Sequence, residues 1–180
     1  IRSATSSAVH IDGAGPTIMD RRLLGNSSTD GGALYVANGT PQITDCVFRE
    51  NTSSNRGGAI FCSQSDASFL RVDIVENTCT GTQGGGIILI GGTVGFQDCS
   101  ISNNDLLPSS ETDNIDGGGI YSDCILSMNN CEISGNRIER IWSSSQLSGT
   151  MNIRGGGLSA YGTAIITDSV FSHNSLFGLV

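Results

Sequence analysis

The sequence predicts an all-β fold: a right-handed, single-stranded parallel β-helix of about six coils with three short strands in each coil. Two observations support this prediction: a Gly-Gly motif that recurs along the chain, and an asparagine that follows each motif after a nearly constant interval. A third observation is the alternation of apolar and polar residues between the two, which has the period of strands. Repeats of this kind that cover almost a whole chain are typical of a solenoid.

Each coil is predicted to end at an asparagine, and each coil after the first to begin at a glycine pair; the first is a degenerate copy that begins SSAV at 6–9. The chain forms a single β-helix domain over 1–180, with coils that start near residues 6, 31, 57, 84, 117 and 155 and long loops at 105–116 and 137–154. The closing asparagines are Asn26, Asn51, Asn77, Asn104, Asn136 and Asn174. Because Asn tolerates a left-handed backbone and its amide can bond to its equivalent one coil away, we expect a structural ladder along one corner.

Within a coil, two turns separate the three strands. In the second coil the turns fall at Asn38-Gly39 and at Asp45, and a loop follows Asn51. The inward positions of its three strands are Leu34 and Val36, then Ile43, then Cys46 and Phe48. Aliphatic or aromatic residues fill three of these positions in the other coils, so we expect continuous buried columns with each strand paired to its equivalents above and below.

The composition excludes several classes of function. A formal charge of −8 without any lysine argues against nucleic acid as a partner, because a phosphate backbone needs a basic surface. The longest apolar run, Ile87–Ile90, is far too short to span a membrane. The chain opens on Ile1 without a visible signal peptide, so we expect a mature or excised segment. Low charge and abundant Ser, Thr and Asn favour an exported protein, extracellular or at the cell surface.

The six cysteines lack the spacing of a zinc site, and we expect no metal or cofactor. Cys46, Cys99 and Cys131 share one inward column, where small buried thiols are the simplest interpretation. Cys99 and Cys131 lie on adjacent coils, within range of a possible disulfide. A short loop closed by Cys124 and Cys131 is the alternative.

Three sequons suggest a glycoprotein, at Asn26, Asn38 and Asn51. A side chain committed to the asparagine ladder cannot also carry a glycan. Asn38, on a turn, is therefore the predicted acceptor.

A column of carboxylates raises the question of catalysis. Its members are Asp20, Asp45, Asp98 and Asp168, with Arg71 and Asn130 in its gaps. Asp and Asn commonly begin turns by bonding to nearby backbone N–H groups, and this explanation is favoured over calcium binding or an acid–base pair. His10 and His173 lie in the end coils and are expected at the surface. We therefore predict no catalytic residues and no enzyme activity.

The two long loops suggest a recognition patch. They leave the same corner of adjacent coils, so they should lie side by side. The patch would comprise Trp142, Arg137, Arg140, Glu111 and Asp113. Mutual packing of the two loops is the plainer interpretation.

Two further surfaces favour association. An outward column, apolar in four consecutive coils, could be a lateral interface or lie under a covering segment; it reads His10, Tyr35, Phe61, Ile88, Tyr121 and Ser159. Neither end of the solenoid has an obvious cap, so we expect self-association by end-to-end stacking into a filament. A fragment of a longer solenoid is the alternative.

The motifs GGAI at 57–60, FREN at 48–51 and FSHN at 171–174 resemble the GGA[ILV] and FxxN repeats of chlamydial polymorphic outer-membrane proteins. Those proteins are autotransporter adhesins with β-helical passenger domains. The resemblance implies an extracellular structural or adhesive module that contacts glycans or cell-surface partners. The alternative function is a carbohydrate-active enzyme, a polysaccharide lyase or hydrolase, or a carbohydrate-binding module on a pectin-lyase-like solenoid.

Overall fold

A computed structural model describes residues 1–4, 6–109, 114–141 and 152–179. It confirms the predicted parallel β-helix: the chain winds through about six coils, and equivalent strands of successive coils pair in parallel and in sequence order. Within the described ranges the chain contains no helix that could span a bilayer.

The first sheet takes two segments from each coil. Its first segments are β1 (Val9–Asp12) and β5 (Leu34–Ala37), and its second segments are β2 (Thr17–Met19) and β6 (Gln42–Thr44). In the middle coils the two segments fuse into single strands: β9 (Ile60–Leu70), β12 (Ile87–Gln97) and β16 (Ile120–Asn129). They separate again in the last coil as β20 (Leu158–Ala160) and β21 (Ala164–Thr167).

The second and third sheets lie on either side of the asparagine corner. The second sheet contains β3 (Arg22–Leu24), β7 (Val47–Arg49), β10 (Asp73–Val75), β13 (Ser100–Ser102), β17 (Glu132–Ser134) and β22 (Val170–Ser172). The third contains β4 (Ser27–Asp30), β8 (Thr52–Arg56), β11 (Thr78–Cys79), β14 (Asp105–Leu106), β18 (Arg137–Ile141) and β23 (Ser175–Leu179). A separate pair joins β15 (Asn114–Asp116) to β19 (Asn152–Arg154).

The third sheet differs from the sequence prediction. The residues after each asparagine were expected to form a return loop, and the first two predicted strands of a coil were expected to be separate. The first two are separate strands in the first, second and last coils, as predicted, but form one continuous strand in the three middle coils. All of these strands belong to one sheet, and the residues after the asparagine supply the third sheet. The segments predicted as long loops likewise begin and end in strands, β14 and β15 in one and β18 and β19 in the other.

The core fills the inside of the coils. Leu34, Ile60, Ile87 and Ile120 stack in register and are completely buried. Phe69 and Phe96 stack their rings with centroids 4.7 Å apart. Burial of such columns is the main favourable contribution to the stability of the fold.

The glycine pairs are needed for two different reasons. The first glycine, such as Gly57, has a left-handed backbone with φ of 62°. The second, Gly58, passes so close to the next coil that a Cβ atom would collide with the carbonyl oxygen of Gly85. Glycine alone satisfies both requirements without strain.

Candidate functional site

The asparagine corner is a continuous hydrogen-bonded ladder. Asn77 Oδ1 accepts from the backbone N–H of Asn51 at 2.9 Å and from Asn51 Nδ2 at 3.0 Å. Asn77 Nδ2 donates to Asn104 Oδ1 at 2.9 Å and to the carbonyl oxygen of Phe48 at 3.0 Å. The same pattern runs from Asn26 through Asn136 to Asn174. These side chains hold adjacent coils together, and their polar groups are not free to bind a ligand.

The backbone of this corner corrects one detail of the prediction. The ladder asparagines do not have positive φ; the residue before each of them does. These residues are Gly25, Glu50, Glu76, Asn103, Gly135 and His173, with φ between 53° and 64°. The asparagine is therefore placed by its amide bonds, while its neighbour makes the left-handed turn.

The three sequons lie in different environments. Asn26 and Asn51 are completely buried in the ladder. Asn38 is exposed on its turn, where its Nδ2 donates to Asp12 Oδ1 at 3.3 Å. Among the three, Asn38 is the side chain that a glycan can reach, so glycosylation there stays a prediction.

The inward cysteines at the opposite corner form hydrogen bonds of their own. The thiols of Cys46, Cys99 and Cys131 donate to the carbonyl oxygens two residues earlier, at 3.1, 3.1 and 3.3 Å. Ser169 takes the equivalent place in the last coil, where its hydroxyl donates to Thr167 O at 2.8 Å and accepts from the N–H of Cys131 at 3.0 Å. Four members of the column are therefore small side chains that hydrogen-bond to the backbone, and Val72 fills the place between Cys46 and Cys99 without such a bond.

Cys99 and Cys131 interact directly with each other. Both are buried free thiols. The hydrogen bond with Cys99 lowers the pKa of Cys131, while the same contact and burial raise the pKa of Cys99. One thiol of the pair therefore ionises more readily because the other stabilises it.

The carboxylate column lies at this same exposed corner, and its gap residues pair with its acids. Arg71 binds Asp45 through two contacts, of 2.6 and 2.8 Å, and this lowers the pKa of Asp45. Asn130 Nδ2 donates to Asp98 Oδ1 at 2.7 Å. All six positions of the column have positive φ. Side-chain contacts between adjacent coils therefore stabilise these turns. In the described part of the chain, no group of His, Cys, Asp and Glu residues could hold a metal ion.

The outward apolar column is partly covered. His10, Tyr35 and Phe61 stack ring on ring with centroids 4.7 and 4.8 Å apart. The guanidinium of Arg56 lies 4.7 Å from the centre of the Phe61 ring, and both Phe61 and Ile88 are buried. Phe61 and Ile88 are therefore not exposed as a lateral interface in these middle coils, and the Arg56 side chain is one of the groups that cover them. His10 itself is exposed, as is His173.

A buried carboxylate beside the last member of this column, Ser159, was not anticipated. Asp116 is 2% exposed and its Oδ1 accepts from Tyr161 Oη at 3.0 Å and from Ser159 Oγ at 3.3 Å. Arg154 in turn donates to Tyr161 Oη. The only available signal was that Asp116 immediately precedes a glycine pair. The two hydroxyl donors satisfy Asp116, and Arg154 supports one of them.

The proposed recognition patch falls largely outside the described residues. Trp142, Glu111 and Asp113 lie in the segments that the structure does not describe, and Arg140 is described only as part of β18. Arg137 makes a two-contact ion pair with Asp105 at 3.0 and 3.1 Å, which joins the starts of the two insertions. The patch itself stays a prediction.

The last coil of the stack exposes apolar side chains, and the first coil contains an apolar cavity. In the last coil Ile166, Phe171 and Leu176 continue the columns of Met128, Ile133 and Ile138, yet they are 39, 43 and 49% exposed. At the first coil a cavity of about 380 Å³ is lined by Val9, Ile11, Ile18 and Leu23, among others.

Comparison with known proteins gives one match. Residues 45–63 match the model of the Chlamydia polymorphic membrane protein repeat, which confirms the resemblance seen in FREN at 48–51 and GGAI at 57–60. The matched segment contains Asn51 and the glycine pair at 57–58, the corner positions that the structure explains. No curated protein matches the chain, and no solved structure does.

Proposed function

We propose that the chain is an extracellular structural and adhesive β-helix module displayed at a cell surface. The observation that carries this proposal is the polymorphic membrane protein repeat at residues 45–63, whose corner residues recur through the stacked coils. A solenoid held by buried ladders presents long, rigid outer faces, which suits contact with another surface.

Binding of the purified chain to monolayers of cultured epithelial cells tests this function. The fluorescently labelled chain should bind to the cells and reach saturation. The same chain unfolded in urea and diluted just before the assay is the control, because adhesion depends on the folded faces. Equal retention of folded and unfolded chains would contradict the proposal.

A second proposal concerns assembly: copies of the chain stack end to end. The apolar side chains of the last coil continue the core columns, and the first coil offers an apolar cavity of matching columns. Exposed patches of this kind favour association, and a head-to-tail contact does not close on itself.

Blocked ends test the stacking in solution. Phe171→Asp should disable the last-coil end and Ile18→Asp the first-coil end, so each variant alone should sediment as a monomer. A mixture of the two should form dimers, because one free end of each kind remains. Val170→Asp, at an exposed outward position next to Phe171, is the matched control and should still form longer assemblies. A wild-type chain that stays monomeric at high concentration would contradict stacking.

A further inference from the structure

The outward face of the first sheet contains a depression, here called the pit. Its floor consists of Ser68, Gly95 and Ser127, which lie side by side in register on β9, β12 and β16. The larger residues two positions later in the same strands form one wall: Leu70, Gln97 and Asn129. The column two positions earlier, Asp66, Thr93 and Ile125, lies beyond the lining of the pit, which is open on that side.

The two ends of the floor column are closed by larger side chains. Gln42 pairs in register with Ser68 at one end, and Ile165 pairs with Ser127 at the other. The depression has a volume of about 400 Å³. This volume lies within the range of about 300 to 1,000 Å³ that is usual for small-molecule sites.

Gly95 is not required by the fold, which distinguishes it from the corner glycines. Its backbone has no positive φ, and a Cβ atom would meet only the flexible Ser127 hydroxyl, at 3.2 Å. A glycine inside a strand weakens the strand and often marks a place where a ligand approaches the backbone closely. Its effect here is to deepen the floor between two serines.

The chemistry of the lining is polar and uncharged. Amides come from Gln42, Gln97 and Asn129; hydroxyls come from Thr44, Ser68, Ser127 and Thr167; aliphatic edges come from Leu70 and Ile165. The Asn129 amide is oriented by a 2.8 Å hydrogen bond to Thr167 Oγ1. Amides and hydroxyls can both donate and accept hydrogen bonds, which matches the hydroxyl pairs of a sugar.

The absence of charge selects among sugars. The chain carries a net charge of −8, yet no acidic or basic side chain is among the described residues that line the pit. An acidic sugar would find no arginine to pair with there and would be repelled by the surrounding acids. The floor crosses three strands spaced about 4.8 Å apart, which gives an elongated site along the solenoid axis.

We propose that the pit binds a neutral oligosaccharide, which lies along the solenoid axis across β9, β12 and β16. This inference rests on the proposed adhesive function and specifies the class of ligand that the surface contacts. The aliphatic edges contact the C–H faces of the sugar rings, and Gln97 and Asn129 hydrogen-bond to its hydroxyl groups.

Calorimetric titration of the whole chain tests the proposal. The probes are neutral hexasaccharides of glucose, mannose, galactose, xylose and N-acetylglucosamine, together with hexagalacturonate as the acidic comparison. At least one neutral probe should bind, and it should bind at least about tenfold more tightly than hexagalacturonate, a difference of about 1.4 kcal/mol. No binding by any neutral probe, or tighter binding of hexagalacturonate, would overturn the proposal.

Two variants locate the binding in the pit. Ser127→Gln fills the floor and should weaken binding at least about tenfold. Ser134→Gln, on the second sheet, makes the same change at a half-buried outward position and should leave the affinity unchanged. Circular dichroism melting checks that both variants fold. Undiminished affinity in a folded Ser127→Gln chain would overturn the assignment.

The outcome is distinguishable from that of the adhesion assay. Labelled chain that adheres to cells but binds no neutral probe leaves the adhesive function standing and rejects the pit as a sugar site. A chain that binds a neutral probe through the pit but does not adhere supports the site and rejects adhesion.

Discussion

At the residue scale, one amide side chain in each coil joins that coil to both neighbours. Asn77 bonds to Asn51 on one side and to Asn104 on the other, and it also satisfies the carbonyl of Phe48. Its position could be predicted from sequence, because a fixed interval from each glycine pair is visible without a structure. The left-handed turn could not be assigned correctly, because Glu50 and Glu76 are residues that seldom adopt positive φ. Nothing in the side chains of Glu50 and Glu76 indicates a left-handed turn.

Removing one rung of the ladder should therefore be costly. Asn77→Ala leaves buried partners on two coils without their hydrogen bonds, at about 1 to 3 kcal/mol for each unsatisfied group. We expect the free energy of unfolding to fall by at least about 3 kcal/mol in urea titrations. Asn55→Ala is the matched control, because the Asn55 amide donates to Asp30 on the neighbouring coil at the exposed surface, where its loss should cost no more than about 1 kcal/mol. Similar losses in the two variants would argue against the ladder as the main clamp.

Buried thiols should make the fold sensitive to alkali. Burial raises the pKa of the Cys62 thiol to about 12. In the unfolded chain a thiol titrates near about 8.5, so the folded pKa is the higher one. The stabilisation is complete below about pH 8.5 and is lost as the pH rises towards 12, at about 1.4 kcal/mol per pH unit.

Urea unfolding at pH 8 and pH 10 measures this loss. Cys62→Ala should show the shallower fall in stability, because it removes the titrating group. Val36→Ala creates a cavity at the adjacent position of the same column but keeps the thiol, so its fall should equal that of the wild type. Identical pH dependence in all three chains would show that Cys62 does not titrate as described.

At the element scale, the third sheet shows where sequence reasoning stops. Its inward positions include Ser53 and Cys79 in the early coils and become aliphatic only at Leu106 and Ile138. The alternation of apolar and polar residues is therefore too weak here to predict these strands. They pair in register because the adjacent asparagine ladder aligns the coils. The first and second sheets could be predicted because large aliphatic residues recur in them.

The corner between the first and second sheets should accept a disulfide. The N–H of Glu132 donates to the carbonyl of Cys99 at 2.9 Å, so Cys99 and Cys131 are neighbours on adjacent coils. A strand spacing of about 4.8 Å lies within the Cα separation that disulfides allow. In oxidised glutathione, the Cys131 thiolate should attack the small disulfide and expel one glutathione thiolate; Cys99 then displaces the second.

Peptide mapping without reduction should show Cys99 joined to Cys131 and Cys46 still free, because Val72 separates Cys46 from Cys99 in the column. The crosslink should raise stability by about 3 kcal/mol. Cys131→Ser keeps the small hydrogen-bonding side chain that Ser169 provides one coil later, so it controls for loss of the thiol alone. Pairing of Cys131 with Cys124 would contradict this prediction.

At the scale of the whole molecule, the architecture follows from repetition and the binding surface does not. Six equivalent segments could be read as a stack of coils because each repeats the same corner residues. The pit depends on three small residues, Ser68, Gly95 and Ser127, being brought side by side. In sequence they look like ordinary small outward positions before Phe69, Phe96 and Met128, so their shared role appears only when the register of the strands is known.

The central claim is that these stacked coils form an adhesive surface, and detachment of coated beads under flow tests it most directly. Beads carrying the folded chain, settled on an epithelial monolayer, should resist a shear that removes beads carrying the urea-unfolded chain. The neutral hexasaccharide that binds best in titration should release them when added to the flow. Beads that wash away at the same shear whether coated with folded or unfolded chain would contradict the account.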